Sequence, residues 1–557
     1  MLNHECKLWP KQLPASLAVP KTTLFDNLAV SARRYPDTTA IYYYGTAVQY
    51  DRLLHETCLV AGYLQRELGV NKGDRVLLYM QNAPQFVISF HAILAIGAVV
   101  VPLNPMNMTD EVHFYIQDCG AHVAIVGQEL FDRIEPLIGE SELQHVVVAA
   151  YSDYIEATPK YQLPEVVAAT RVEYHRSGVS NWAAAMTAGV TWTPVEVRGT
   201  DLAVLPYTSG TTGRPKGCMH PHSTVQANIV GGATHAGTNS GSVVLGTLPL
   251  FHVTGMIHSM LTPLFCGSTV VLMTRWDRET AAQLIHDMRC TGWTNIATML
   301  IDFLSNPNIA QYDLSSLTAI GGGGAALPEA VGERLFQLTG IRYAEGYGLS
   351  ETISQTHFNP LDRPKLQCLG MPSFDVDARV IHPESLTELG PNEEGELIVH
   401  GPQVFQGYWN RPEETERVFI NIDGKRFFRT GDIVRYDEDG YFFMVDRLKR
   451  MINAAGFKVW PAEVESLLFE HEAVQLACVI GVPDARRGET VKAYIVLKPE
   501  FRGVVSEDDI IDWTKDKMAA YKRPRIVEFV DSLPISGSGK VLWRKLMEME
   551  AAKHQQV

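Results

Sequence analysis

No two cysteines in this chain stand at a Cys-x-x-Cys spacing. The eight present, Cys6, Cys58, Cys119, Cys218, Cys266, Cys290, Cys368 and Cys478, are scattered over 557 residues. That speaks against a zinc site or disulfide framework and for a reducing compartment. Positive charge is in deficit: 48 Lys and Arg against 63 Asp and Glu leave a formal net charge of −15. This balance argues against a general nucleic-acid or anionic-membrane binder, but not against a local basic pocket. The stretch Met1–Lys7 has no apolar signal core, so a cytoplasmic protein is expected. Long apolar runs are scarce too. Phe86 to Leu103 is 18 residues without a formal charge, near the lower limit for a membrane span. Gly97 and Pro102 interrupt it and Val99 to Val101 is β-branched, so a buried helix followed by a buried strand is expected instead.

Apolar residues make up 46% of the chain, enough for large cores and too many for disorder. The length implies three or four folding units. Strand-like runs at Arg75–Met80, Gly97–Pro102, His122–Val126 and His145–Ala150 alternate with helical patterns at Ala83–Leu94 and Thr109–Asp118. The alternation resumes with strands at Val243–Leu248, Thr269–Met273 and Leu317–Gly321. Such alternation predicts parallel sheets covered on both faces. Residues 151–200 lack clean periodicity and read as a connecting, partly helical region. From about 370, Asp375–His382 and Gly395–Gly401 alternate apolar and polar residues, as in a small antiparallel barrel. After 448 a compact α+β pattern follows. The expected fold is therefore α/β: residues 1–448 as two stacked sheet layers with a β-barrel-like subdomain at about 370–445, then a small α+β domain at 449–557.

The buried run Leu202–Tyr207 leads into Thr208-Ser209-Gly210-Thr211-Thr212-Gly213-Arg214-Pro215-Lys216-Gly217. Glycines let backbone N–H groups turn toward an anion, hydroxyls add short donors, and Arg and Lys neutralise oxyanions. This composition grips phosphates, yet Gly-x-x-x-x-Gly-Lys-[Ser/Thr] does not fit it. The string closely resembles the phosphate-binding loop of the adenylate-forming enzymes: acyl-CoA synthetases, luciferases and peptide-synthetase adenylation domains. The resemblance runs from about residue 25 to 545, with all motifs in order, and the whole is most similar to bacterial medium- or long-chain fatty acyl-CoA ligases.

The resemblance assigns further residues. The glycine run Gly321–Leu327, with Gly322, Gly323, Gly324 and Ala325, looks like the adenine loop. In Gly346-Tyr347-Gly348-Leu349-Ser350-Glu351-Thr352, it implies that Tyr347 stacks on adenine, Thr352 touches the α-phosphate and Glu351 holds Mg²⁺. A carboxylate suits that hard cation, which shares oxygens with phosphate. Asp432 in Thr430-Gly431-Asp432 and Arg447 resemble a ribose clamp. Lys449 falls at the hinge, where the family more often has Asp, and the turn through Gly456 resembles the lining of the pantetheine tunnel. Lys540, in the loop Pro534–Lys540, is implied to contact the substrate carboxylate and the α-phosphate. His252 resembles the acyl-site His. The implied acyl pocket comprises His252, Val253, Gly255, Met256, Gly322, Gly323, Gly346, Gly348 and Ile353. It offers no charged group to read an α-amino group or second carboxylate, which disfavours amino acids.

The expected function is thus an ATP- and coenzyme A-dependent carboxylic acid ligase with Mg²⁺, its substrate a medium- or long-chain fatty acid. Thr208, Lys216, His252 and Lys540 are the expected catalytic set. A short substituted alkanoate or aryl acid is the runner-up. An enzyme that loads a carrier protein instead of coenzyme A, a non-catalytic nucleotide sensor and a membrane protein built on 86–103 stand as other classes. No nucleic-acid partner and no transmembrane span are expected. The resemblance leaves room for a homodimer and for peripheral membrane contact.

Overall fold

Every residue from Pro84 to Ala95 is buried, and this helix explains how the larger part of the molecule is layered. With Pro at its first position and no formally charged residue along its length, it is mostly apolar, as a helix inside a core must be, and its polar Gln85 and His91 are hydrogen-bonded. The computed structural model describes residues 9–156, 158–208, 214–324, 326–454, 457–484, 488–535 and 541–555. The helix feeds directly into the buried strand Val99–Pro102. Among the described residues no helix is long and apolar enough to cross a membrane.

The chain divides into two compact units, Met1–Asp377 with His400–Arg426, and Ala378–Val399 with Phe427–Val557. In the first, a seven-stranded sheet runs Val179–Asn181, His145–Ala149, Val123–Gly127, Arg75–Tyr79, Val99–Pro102, Leu202–Val204, His220–Pro221. Its first six strands pair in parallel and the last is antiparallel. Side chains alternate across the pleat: Val76 and Leu78 join the core that contains the 84–95 helix. Leu77 and Tyr79 join a second core on the opposite face. A nine-stranded sheet places Ala344–Leu349, Ala319–Gly323, Gly292–Asn295, Val243–Gly246 and Thr269–Leu272 at its centre. Ile320, Trp293, Leu245 and Val271 from this sheet enter the same core as Val76 and Leu78. Two stacked α/β layers with the buried helix in their shared core are the expected arrangement.

Two local expectations need correction. The connecting region supplies a strand, Val179–Asn181, paired with His145–Ala149 through Val146 and Val179. Three intermediate-burial residues gave it no apolar run to mark it. The glycines 321–323 are not a loop after a strand but the end of the strand itself.

In the second unit, Gly395–His400 pairs antiparallel with Lys425–Tyr436, which pairs with Phe442–Arg447. Its other sheet joins Phe457–Val459, Ile452–Ala454, Gly488–Leu497 and Val474–Asp484, with Ile526–Phe529 parallel on Gly488–Leu497. The helix Glu507–Trp513 begins as its sequence dictates: the Ser506 hydroxyl accepts from the Asp509 N–H, and the Asp509 carboxylate accepts from the Ser506 N–H at 2.9 Å.

Candidate active site

The phosphate-loop motif closes at its base. The Thr208 N–H donates to the Lys216 carbonyl at 2.9 Å, the Lys216 N–H donates to the Thr208 hydroxyl at 3.2 Å, and Tyr207 bridges Gly217. The Tyr207 hydroxyl donates to Asp118 at 2.7 Å, fixing the incoming strand to the helix Thr109–Cys119. Ser209, Gly210, Thr211, Thr212 and Gly213 lie outside the described residues. Lys216 forms an ion pair with Glu414, and its ammonium stands 4.9 Å from the centre of the Tyr408 ring. That separation is within cation–π range.

Tyr408 also reaches the second motif, since its hydroxyl donates to Glu351 Oε1 at 2.8 Å. Lys216 and Glu351, 135 residues apart by number, therefore share one aromatic neighbour. Burial, and then the Glu351 carboxylate, push the Tyr408 phenol far above its ordinary value, so it stays a proton donor. Burial does the same to the Cys218 thiol next to it. A cavity of about 610 Å³, lined by Met219, Tyr408, Trp409, Arg411, Phe419 and Arg426, opens beside this ring.

Glu351 sits in a tight turn, Ser350–Thr352, followed by two left-handed residues, Ile353 (φ 44°) and Ser354 (φ 97°). A β-branched residue there is strained and must be held by its surroundings. The holding groups are visible. Asn228 Nδ2 donates to the carbonyls of Thr352 and Ile353 at 2.9 and 2.8 Å. The Thr352 hydroxyl accepts from the Leu349 N–H at 2.9 Å and donates to the Ser354 carbonyl at 2.7 Å. In this structure that hydroxyl serves its own turn. Among the described residues no group of three or more His, Cys, Asp or Glu could hold a metal by itself. A magnesium ion carried in on nucleotide phosphates needs only one or two protein carboxylates, and Glu351 fits that need.

Tyr347 is 8% exposed, its ring edge-on to His357 at 5.8 Å. The glycines around it answer to close strand contacts. A Cβ on Gly322 would lie 1.9 Å from the Asn295 carbonyl, one on Gly323 2.4 Å from the Gly346 carbonyl, and one on Gly348 1.8 Å from the Ser354 carbonyl. Gly346 has more room, with the His357 carbonyl at 3.3 Å. Gly324 takes φ +88° at the strand's exit; Ala325 lies outside the described residues. Glu345, which sequence reasoning passed over, accepts from the N–H groups of Leu327 and Gln367 at 3.1 and 2.9 Å. It pins the end of the glycine segment.

Of the residues expected to line an acyl pocket, Gly255 and Met256 share one element, and His252 and Val253 stand just before it. Gly255–Leu261 is a π-helical stretch, a form that recurs at functional sites. Val253 and Met256 are buried, and the Met256 N–H donates to the His252 carbonyl at 2.9 Å. His258 on the same stretch lies 3.2 Å from the Ser354 hydroxyl, joining it to the turn that holds Ile353. Burial pushes its imidazole down to about 4, so it is neutral at pH 7.

In the second unit, Arg447 Nε lies 3.0 Å from Asp432 Oδ1. The two residues are directly opposite in their antiparallel pair, and Asp432 is 1% exposed. The Thr430 hydroxyl accepts from the Asp432 N–H at 3.1 Å and donates to the Leu397 carbonyl at 2.8 Å. Lys449 falls in the turn Leu448–Arg450, and Gly456 and Lys540 lie outside the described residues. Of the residues missed from sequence, Tyr408, Glu414 and His258 are brought to the motifs by the fold, whereas Glu345 and His220 stand one and three residues from motifs that did not mark them.

Residues 28–409 match the model of the AMP-binding enzyme family, and residues 463–540 that of the AMP-binding enzyme C-terminal domain. A long-chain-fatty-acid–CoA ligase of Bacillus subtilis (strain 168) is 36% identical over 557 residues, with 98% of each chain covered. Among solved structures, ATP-bound MatB from Rhodopseudomonas palustris aligns with a TM-score of 0.83 at 27% identity, covering 95% of this chain and 99% of that one. The anthranilate CoA ligase AuaEII in complex with anthranoyl-AMP gives a TM-score of 0.83 at 27% identity, covering 97% and 99%. With well over half its length matched by the family model and near-complete agreement in length with a 36% identical relative, the chain belongs to the AMP-binding enzyme family.

Proposed function

We propose that this protein joins a carboxylic acid to coenzyme A through an acyl-adenylate, with a medium- or long-chain fatty acid as the substrate. In the first half-reaction a carboxylate oxygen attacks the α-phosphorus of ATP and pyrophosphate leaves. Thr208–Lys216 cradle the phosphates, and Lys540 supplies charge where the new bond forms. Glu351, held by Tyr408, would hold magnesium, whose charge would offset that of the nucleotide phosphates. Tyr347 and the 322–324 strand end take the adenine, and Asp432 with Arg447 the ribose diol. Holding both reactants side by side removes an entropic cost of bimolecular encounter. In the second half-reaction the coenzyme A thiol attacks the acyl carbon and AMP leaves. The small domain from 449 onward turns about Lys449, withdrawing Lys540 and presenting the turn at Gly456.

The observation that carries this reading is the meeting of Lys216, Tyr408 and Glu351 at the closed base of a glycine- and hydroxyl-rich loop. The named activity of the Bacillus subtilis relative supports a fatty acid, as do buried Val253 and Met256 beside His252. An aryl acid is the second reading, favoured by the structural likeness to an anthranilate ligase. A cytoplasmic setting, a homodimer and peripheral membrane contact go with the first reading. Pyrophosphate release across a panel of carboxylic acids, with and without coenzyme A, tests it. Release with long-chain acids, and acyl-CoA only when the thiol is present, is expected. No release above background with any acid overturns the reading, and release confined to aryl acids selects the second.

A further inference from the structure

Four successive carbonyls, from Ser350 to Ile353, surround the Glu351 turn, and each has a buried donor. Asn228 serves Thr352 and Ile353, and the Phe405 N–H serves Glu351 at 2.9 Å. The fourth, Ser350, faces His220, whose Nε2 lies 2.7 Å from the carbonyl oxygen. His220 is fully buried and stands on the strand His220–Pro221, which leaves the phosphate-loop motif and pairs back on Leu202–Val204. A carbonyl only accepts, so Nε2 carries the ring proton and Nδ1 is left as a lone pair beside the Thr224 hydroxyl, 3.1 Å away. The imidazole is thus a rigid strut with one end on the phosphate-loop strand and the other on the carboxylate turn. The Phe405 ring packs at 6.3 Å, and Phe405 itself grips Glu351 by its N–H.

We infer that His220 is a positioning residue: it sets the distance between the strand that follows Lys216 and the Glu351 carboxylate, and so the site where a metal–nucleotide complex is held. The inference rests on the proposed role of Glu351. Next to a turn that already holds two left-handed residues, loss of the His220 bond, one of these four, leaves the Ser350 carbonyl only the Ile353 N–H at 3.2 Å and frees the carboxylate to shift. An oriented group behind a metal-binding carboxylate governs affinity without touching the metal.

The test is binding of Mn²⁺ with the α,β-methylene analogue of ATP to the full chain, followed by the Mn²⁺ spin-resonance signal and by calorimetry. His220→Leu fills the space without a donor and should weaken binding by about tenfold, the worth of one buried hydrogen bond. His220→Gln, which keeps an N–H near the same point, should restore most of it. In turnover, His220→Leu should raise the KM for ATP and leave that for the acid unchanged. Equal losses in both variants, or an unchanged affinity in His220→Leu, would overturn the inference. If His220→Leu does not fold, Thr224→Val decides: it frees the ring, so a weaker effect in the same direction supports the role, and none refutes it. Should the unmodified protein fail to bind the complex, the reading of Glu351 falls with it, and the two failures are told apart.

Discussion

Glu345 is 6% exposed, and burial pushes its carboxyl from an ordinary 4.5 up to about 7. The folded chain therefore holds this proton more tightly than the unfolded chain does. The stabilisation is fully present below pH 4.5, declines as pH rises through the window, and is lost above about 7. A shift of this size is on the order of 3 kcal/mol. The N–H groups of Leu327 and Gln367 point at one oxygen, Oε1, and the Cys368 backbone also bonds the carboxyl. Glu345→Gln keeps that oxygen and removes the titration. Its urea unfolding free energy should gain about 2–4 kcal/mol on the unmodified protein between pH 4.5 and 7. Parallel curves would show that the carboxyl stays charged in the fold. Nothing in the sequence marks this residue. It precedes the Gly346–Thr352 motif by one position, but its function is set by partners 18 and 22 residues away, one before it and one after.

The π-helical Gly255–Leu261 is the element that sequence periodicity could least reveal, because its spacing matches neither a helix nor a strand repeat. Strands such as Val99–Pro102 and Val123–Gly127 were legible because both faces are buried and a continuous apolar run results. Val179–Asn181, with no buried residue, was not. The motifs themselves were legible as sequence, and the fold pairs Thr208 with Lys216 and gives Lys216 and Glu351 a shared neighbour in Tyr408. Their mutual supports, Tyr408 and Glu414, were not, since only a long-range chain return brings them in. Gly255 shows the constraint at element scale. A Cβ there would lie 2.2 Å from the Pro249 carbonyl oxygen and 2.9 Å from that of Leu248. Neither is a flexible side-chain tip, so the backbone must move. Gly255→Ala should lower stability by about 1–3 kcal/mol, read as a fall in denaturant midpoint. It should also raise the KM for the acid more than that for ATP, because the displaced stretch carries Met256 and His258. A midpoint within experimental error of the unmodified protein would mean that the turn at 249–255 relaxes freely.

At the scale of the whole molecule, the residues proposed to act fall in both compact units. Thr208, Lys216, His252, Tyr347 and Glu351 belong to the first, and Asp432, Arg447 and the segment through Lys540 to the second. Each unit has its own core: the first is built around the 84–95 helix, the second around residues such as Val459, Val464, Val479, Val491 and Ile495. Arg450, the residue after Lys449, is anchored within the second unit by Glu465 and the Val479 carbonyl. Rotation about Lys449 would thus carry Arg450 with the small domain's own core. If the small domain turns between steps as proposed, the two half-reactions become separable by mutation. Lys540→Ala should lower pyrophosphate formation by about 10²–10³-fold, the usual cost of removing one charge-stabilising donor at a reacting centre. The same variant, given preformed acyl-adenylate and coenzyme A, should form the thioester at close to the unmodified rate if, as proposed, Lys540 is withdrawn in that step. Single-turnover measurements of each half-reaction decide the matter. If both fall together, the small domain does not alternate between two tasks, and one fixed arrangement must serve both.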